Sequence, residues 1–131
     1  MNSVVLEAYL DGWSNICNST TASIAAMLVG AHPEIRFSDL NSSNVHVGHE
    51  GIRGICKLAT SIYLGSTIAY RDLLFDDQNW AIRWTLSGLH LDGTRFNCRG
   101  ASAGMLAEDQ RVIEHTDYWN RAGLQVRPVA S

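Results

Sequence analysis

Apolar positions in the first third of the chain recur at helical spacing, and those in the second half alternate as strands do. Val4, Val5, Ala8, Tyr9 and Trp13 predict a first helix. Ser19, Thr20 or Thr21 is placed to cap a second helix running through Ala22, Ile24, Ala25 and Leu28, and Gly30 stands where that helix would stop. His32-Pro33 imposes an extended entry into a short strand, Glu34 to Phe37. Asn41 to Asn44 is a loop by composition. Gly48-His49-Glu50-Gly51 leads into a third helix from Ile52 to about Leu64, with Ile55, Leu58, Ala59 and Ile62 on one face.

The second half carries four strand candidates: Ile68 to Phe75, Trp80 to His90, Arg95 to Ala107 and Arg111 to Trp119. Asp76 to Asn79, Leu91-Asp92-Gly93 and Glu108-Asp109-Gln110 supply the turns between them. Turns recurring between long strands predict an antiparallel meander. Helices first and a meander second predict an α+β fold, with the N-terminal helices packed on a curved antiparallel sheet that encloses a pocket. In the long strand Ala81, Arg83, Thr85 and Ser87 share one face, and Ile82, Trp84 and Leu86 the other. In the last strand Ile113, His115, Asp117 and Trp119 oppose Glu114, Thr116 and Tyr118. Parity does not choose the concave face.

A chain of 131 residues fits one domain spanning 1–131, long enough to bury a core. Apolar residues make up 46% and charged residues 18%, as in globular domains that stay in water. The net charge is -3, with one lysine (Lys57), nine arginines and no basic run, which argues against a nucleic-acid partner. No apolar run approaches the ~20 residues of a membrane span. Cys17, Cys56 and Cys98 form no CxxC pair and no metal-ligand spacing. An odd count without a secretion signal predicts free thiols in a reducing cytoplasm, each read as a small buried hydrophobe. The segment Gln125 to Ser131 reads as a frayed end.

Candidate chemistry centres on Val112 to Asn120, where Asp117 stands among bulky apolar residues. An acid on the wall of an apolar cavity is a candidate proton-transfer group, because burial raises a carboxyl pKa toward neutrality. The competing reading is a structural acid paired with Arg83 across the sheet, and a close arginine lowers that pKa instead. His46 is a candidate pocket base or hydrogen-bond donor, or else a surface loop histidine. His115 shares the Asp117 face about 7 Å along the strand, as a pocket residue or a satisfied core histidine. Tyr9, Trp13 and Tyr63 are expected on helices covering the pocket mouth. Phe37 and Trp119 are read as pocket lining or core.

The run Trp80 to His90 resembles the "VRWTLSGTH" strand of SnoaL-like polyketide cyclases, with His90 at the histidine of that motif. Val112 to Leu124 is similar to that family's final strand, "IVEEWDYWDxxGLL", and Gly48 to Ile52 resembles its "GREAI" loop. The matches keep order and spacing across residues 34–124. The resemblance implies the NTF2-like fold, a cone-shaped α+β barrel with a deep pocket. Relatives of this kind include ketosteroid isomerase, scytalone dehydratase, limonene-epoxide hydrolase and non-catalytic members. It implies no metal and no nucleotide cofactor, a small hydrophobic substrate, and a homodimer formed sheet against sheet.

Carried over residue by residue, Asp117 matches the final-strand acid of the cyclases and epoxide hydrolases. Arg83 matches the arginine of the hydrolase Arg-x-Asp pair, but Thr85 stands where that pair needs its second acid. Epoxide hydrolysis therefore ranks low. Asn120 replaces a second Asp found in many members, and the terminal Gln-Leu-Gly signal is absent. The acid that ketosteroid isomerase carries near the end of its first helices has no clear match, since Asp39 comes after the strand. The resemblance implies a cofactor-independent cyclase or isomerase acting on a hydrophobic carbonyl-containing natural product. In that reading Asp117, Arg83 and His46 are catalytic. Tyr9, Trp13, Phe37, Tyr63, Thr85, His115 and Trp119 contact substrate. A binding or dimerisation module is the alternative, with hydration, dehydration and epoxide opening ranked below.

Overall fold

The computed structural model describes residues 4–14, 16 and 20–120. Ser19, Cys17 and the segment 121–131, with Gly123, Leu124 and the expected frayed end, lie outside the described residues, as does the side chain of Ile62. Helix α1 spans Val4–Ser14 and buries Leu6, Tyr9, Leu10 and Trp13, an i, i+3, i+4, i+7 stripe. Tyr9 and Trp13 fall on the core side as expected, whereas Val4 and Ala8 face outward. Helix α2, Thr21–Val29, opens on a reciprocal cap at Thr20. The Thr20 hydroxyl accepts from the Ser23 N–H at 3.1 Å, and the Ser23 hydroxyl accepts from the Thr20 N–H at 2.8 Å. Gly30 ends it, its N–H donating to the Met27 carbonyl at 3.0 Å.

Strand β1 runs Ala31–Asp39, longer than the sequence pattern predicts, and β2 is a short strand at Val45–Val47. Helix α3, Gly48–Ile62, buries Ile52, Cys56 and Ala59, while Leu58 is exposed. The chain then turns directly into β3, Tyr63–Phe75. Tyr63 therefore belongs to a strand and not to a helix. Its residue pairs with His90, and β3 continues alongside the next strand to Phe75–Trp80. Long-range pairing over that length outweighs the local helical pattern. Strands β4 (Asn79–His90), β5 (Arg95–Leu106) and β6 (Val112–Trp119) complete the sheet.

The strand order is β2-β1-β6-β5-β4-β3. The meander from β3 to β6 is antiparallel as expected, but β1 docks parallel to β6, with Phe37 opposite His115 and Asp39 opposite Asp117. The expected packing of helices on a sheet holds, but the sheet is mixed and open, with β2 and β3 at its edges, where the sequence predicts a purely antiparallel one. A register shift between Arg71 and Leu74, with Asp72 at φ 59, interrupts the edge strand. Bulges of this kind bend a strand and increase its twist.

Trp80, Ile82, Trp84, Phe96, Cys98 and His115 are buried on the face that the helices cover. Burial pushes the Cys56 thiol up to about 11 and raises that of Cys98, so both remain neutral, small core residues. Among the described residues no helix is long and apolar enough to cross a membrane.

Two glycines keep the inner surface of β5 bare. A Cβ on Gly104 would lie 1.7 Å from the Glu114 carbonyl oxygen, and one on Gly100 would lie 2.4 Å from the Trp84 ring. Gly104→Ala is expected to destabilise the domain by at least about 1–3 kcal/mol, because backbone has to move. Gly54→Ala, on the exposed side of α3 with nothing within 4 Å, is expected to stabilise it by about 0.5–1 kcal/mol. Urea unfolding of both variants checks the contrast, and equal stability would contradict the close approach of β5 and β6.

Candidate active site

The pairing of β5 with β6 sets Ser102 opposite Asp117. Trp84 lies across the bare Gly100 and its indole N–H donates to the Ser102 oxygen at 2.9 Å. The Ser102 hydroxyl in turn donates to Asp117 Oδ1 at 2.5 Å. His115, one step back on the same face of β6, reaches the same oxygen through Nε2 at 2.6 Å. Its Nδ1 is 2.6 Å from the hydroxyl of Tyr9 on α1.

The proton directions follow from what each atom can do. A carboxylate oxygen only accepts, so His115 Nε2–H donates to Asp117. Tyr9 is fully buried, and burial pushes its hydroxyl well above the ordinary range, with the Asp117 charge adding to the effect. Tyr9 therefore keeps its proton, and its hydroxyl is committed to the hydrogen bond with His115 Nδ1. The His115 side chain is 3% exposed and that of Asp117 22%. Asp117 Oδ1 thus carries two bonds, while Oδ2 has no protein partner among the described residues.

Asp39, at the end of β1, is the neighbour of Asp117 across the parallel pair. Its Oδ2 accepts from the Trp119 indole N–H at 2.9 Å, and its Oδ1 from the Asn41 backbone N–H at 2.7 Å. Both carboxylates line a cavity of about 110 Å³, together with Ser102 and His115. Its aromatic wall is made by Trp13, Tyr63, Tyr70, Trp84 and Trp119, and Ile68 and Leu86 complete it. Burial pushes the Tyr70 hydroxyl far above its ordinary range, helped by the charges of Asp117 and Asp11. Among the described residues no cluster of three or more His, Cys, Asp and Glu is placed to hold a metal ion.

The structure brings Asp117, His115, Trp13, Tyr63 and Trp119 to one cavity. Tyr9 stands behind it, spent on His115. Phe37 packs against His115 with ring centroids 4.4 Å apart, as core and not as lining. Arg83 and Thr85 are elsewhere. They alternate with Ile82 and Trp84, which face the core, so they lie on the outer surface of β4. There Arg83 pairs with Asp72, its Nε donating at 2.9 Å. The expected Arg83–Asp117 pair does not form. His46 sits on β2 opposite Phe37, its ring 6.3 Å from that residue, and does not line the cavity.

Asp39, Tyr70, Trp84 and Ser102 are site residues that sequence reasoning missed. Trp84 and Ser102 were within reach of strand parity, which puts them on the faces shared with Ile82 and Cys98. Asp39 was not, because nothing local shows that β1 lies beside β6.

The helices, the mixed sheet and the acid-floored cavity define an α+β fold of the NTF2-like kind. No family model and no curated protein matches the chain. Solved structures do. An NTF2-like protein of unknown function from an Exiguobacterium species is 17% identical, with a TM-score of 0.77 over 89% of this chain and 98% of its own. A hypothetical protein with a ketosteroid isomerase-like fold from Catenulispora acidiphila, solved with trimethylamine, is 13% identical, with a TM-score of 0.78 over 95% of this chain and 91% of its own. A protein from a Jannaschia species described as SnoaL-like, with polyketide cyclase as its assigned but unproven activity, is 15% identical, with a TM-score of 0.73 over 90% of this chain and 86% of its own. At these identities the likeness establishes the NTF2-like fold.

Raised hydroxyls have a consequence for alkaline pH. Unfolded tyrosine ionises near about pH 10, whereas Tyr9 and Tyr70 stay protonated in the fold. Their contribution to stability is therefore complete below about pH 10 and is lost as pH rises beyond it. At about pH 10 the native phenolate absorbance of Tyr9→Phe and Tyr70→Phe is expected to match wild type, the spectra separating only on unfolding. Loss of native phenolate signal in either variant would show that its tyrosine is open to water.

Proposed function

We propose that the protein is a cofactor-independent acid/base catalyst, a cyclase or isomerase for a small apolar natural product bearing a carbonyl or hydroxyl group. Asp117 is the proton-transfer group. One observation carries this reading: Oδ1 is pinned by Ser102 and His115, while Oδ2 is unengaged on the cavity wall. A carboxylate held by one oxygen keeps its other lone pairs in a fixed direction, which is what proton transfer to a bound substrate requires. The likeness to a SnoaL-like protein assigned as a polyketide cyclase supports a cyclisation.

In the proposed step Oδ2 takes a proton from the substrate carbon or hydroxyl as the new bond forms, and returns it at a second atom. Tyr70, half-buried, protonated and on the same wall, has no hydrogen-bond partner among the described residues. It donates to the substrate oxygen. Tyr9 cannot, because its hydroxyl is committed to His115. The aromatic walls supply the apolar contact and displace water. Arg83 takes no part.

The test uses two probes: hydrogen exchange of a cyclic β,γ-unsaturated ketone in deuterium oxide, and ring closure of a short epoxy alcohol, both followed by NMR. Whichever probe turns over assigns isomerase or cyclase chemistry. Asp117→Asn is expected to lower that rate by about 10²–10⁴-fold, and Arg83→Ala to leave it unchanged. Equal rates for wild type and Asp117→Asn would remove the proposal and leave a binding module.

A further inference from the structure

We propose that this cavity is a recognition site for a small organic cation, a methylated tertiary or quaternary ammonium group. The site is the one described above, but the inference concerns what the cavity holds and stands whether or not Asp117 transfers protons.

Charge is the first argument. Asp39 and Asp117 both line the cavity, and no Lys or Arg does so among the described residues. Neither acid is paired with a lysine or arginine: Ser102 and His115 hold one, Trp119 and Asn41 the other. Hydrogen bonds from hydroxyl, indole and amide groups fix a carboxylate without cancelling its charge. After burial, the Asp117 charge helps to raise the Tyr9 and Tyr70 hydroxyls, and that of Asp11 adds to it at Tyr70.

The second argument is the lining. Trp13, Tyr63, Tyr70, Trp84 and Trp119 surround the two acids. The indole N–H groups of Trp84 and Trp119 are already spent on Ser102 and Asp39. What these rings offer a ligand is therefore the negative π face. Trp84 and Trp119 stand with centroids 6.5 Å apart and planes at 56°, two walls of a corner. Aromatic faces around half-buried carboxylates attract a cation and repel an anion. A methylated ammonium needs no acceptor hydrogen bond and gains from every such face.

Size is the third. The cavity measures about 110 Å³, whereas an apolar cavity of about 150 Å³ holds benzene. A group somewhat smaller than benzene fits inside, which suits a trimethylammonium head whose remaining chain leaves past the part-exposed Asp117.

Titration of the tryptophan fluorescence of the whole protein tests this, with tetramethylammonium, choline, and dimethylbutanol, the neutral analogue in which carbon replaces the choline nitrogen. Choline is expected to bind at least about tenfold more tightly than dimethylbutanol. Asp39→Asn and Asp117→Asn should each weaken choline severalfold and leave dimethylbutanol unchanged. Comparing the isosteres on wild type needs no variant to fold. Equal or tighter binding of dimethylbutanol, displacement of choline by the isosteric anion pivalate, or absence of saturable choline binding would each overturn the proposal. Choline binding with neither proton-transfer probe turned over would uphold this site and remove the reaction. Turnover without cation preference would do the reverse.

Discussion

The oxygen Asp117 Oδ1 is where the structure is tied together. It accepts from Ser102 on β5 and from His115 on its own strand, and these lead on to Trp84 on β4 and Tyr9 on α1. A single hydrogen-bonded chain thus connects the first helix with three strands. Each link contributes about 1 kcal/mol net, but a buried group left without its partner costs about 1–3 kcal/mol, more when the partner is charged. The chain is therefore either complete or expensive, and it sets α1 at the one depth and rotation that puts Tyr9 over His115. Trp13, one turn further along α1, is carried onto the cavity wall by the same constraint.

Much of this was written in local patterns. The stripe through Tyr9 and Trp13, the Thr20 cap and the β4–β5–β6 meander all follow from periodicity and turn chemistry, which act over a few residues. Alternation along β6 placed His115, Asp117 and Trp119 on one face, and all three line the cavity. The two-residue spacing of His115 and Asp117 suggested about 7 Å between them. Their side chains bridge that span, and Nε2 lies 2.6 Å from Oδ1.

What escaped the sequence depends on partners distant in the chain. Tyr63 looked helical because apolar spacing continued through it, yet it opens β3 because β4 is there to pair with it. Asp39 carries no local signal, because its importance comes from β1 lying parallel to β6, a contact between residues 78 apart. Arg83 failed for a different reason. Its parity with respect to Ile82 and Trp84 was known, as was that of Asp117 within β6, but matching the two faces needs the cross-strand register. That register puts Arg83 opposite Ala101 and Ser102 opposite Asp117. A likeness of motif suggested a pair that the pleat forbids.

Replacing an arginine by serine and histidine as the holders of Asp117 changes more than geometry. A guanidinium would orient the carboxylate and neutralise it at once. Ser102 and His115 orient it through Oδ1 alone and leave Oδ2 open, beside Asp39. A free enolate forming there would meet two like charges in a medium where they are poorly screened. A transition state that builds positive charge, or one whose oxygen stays protonated by Tyr70, meets a favourable field. The same electrostatics therefore bear on both chemistry and recognition. They favour ring closure or proton shuttling in which charge on the substrate stays neutral or becomes positive, and they make a cationic head a better occupant of the aromatic corner than any anion.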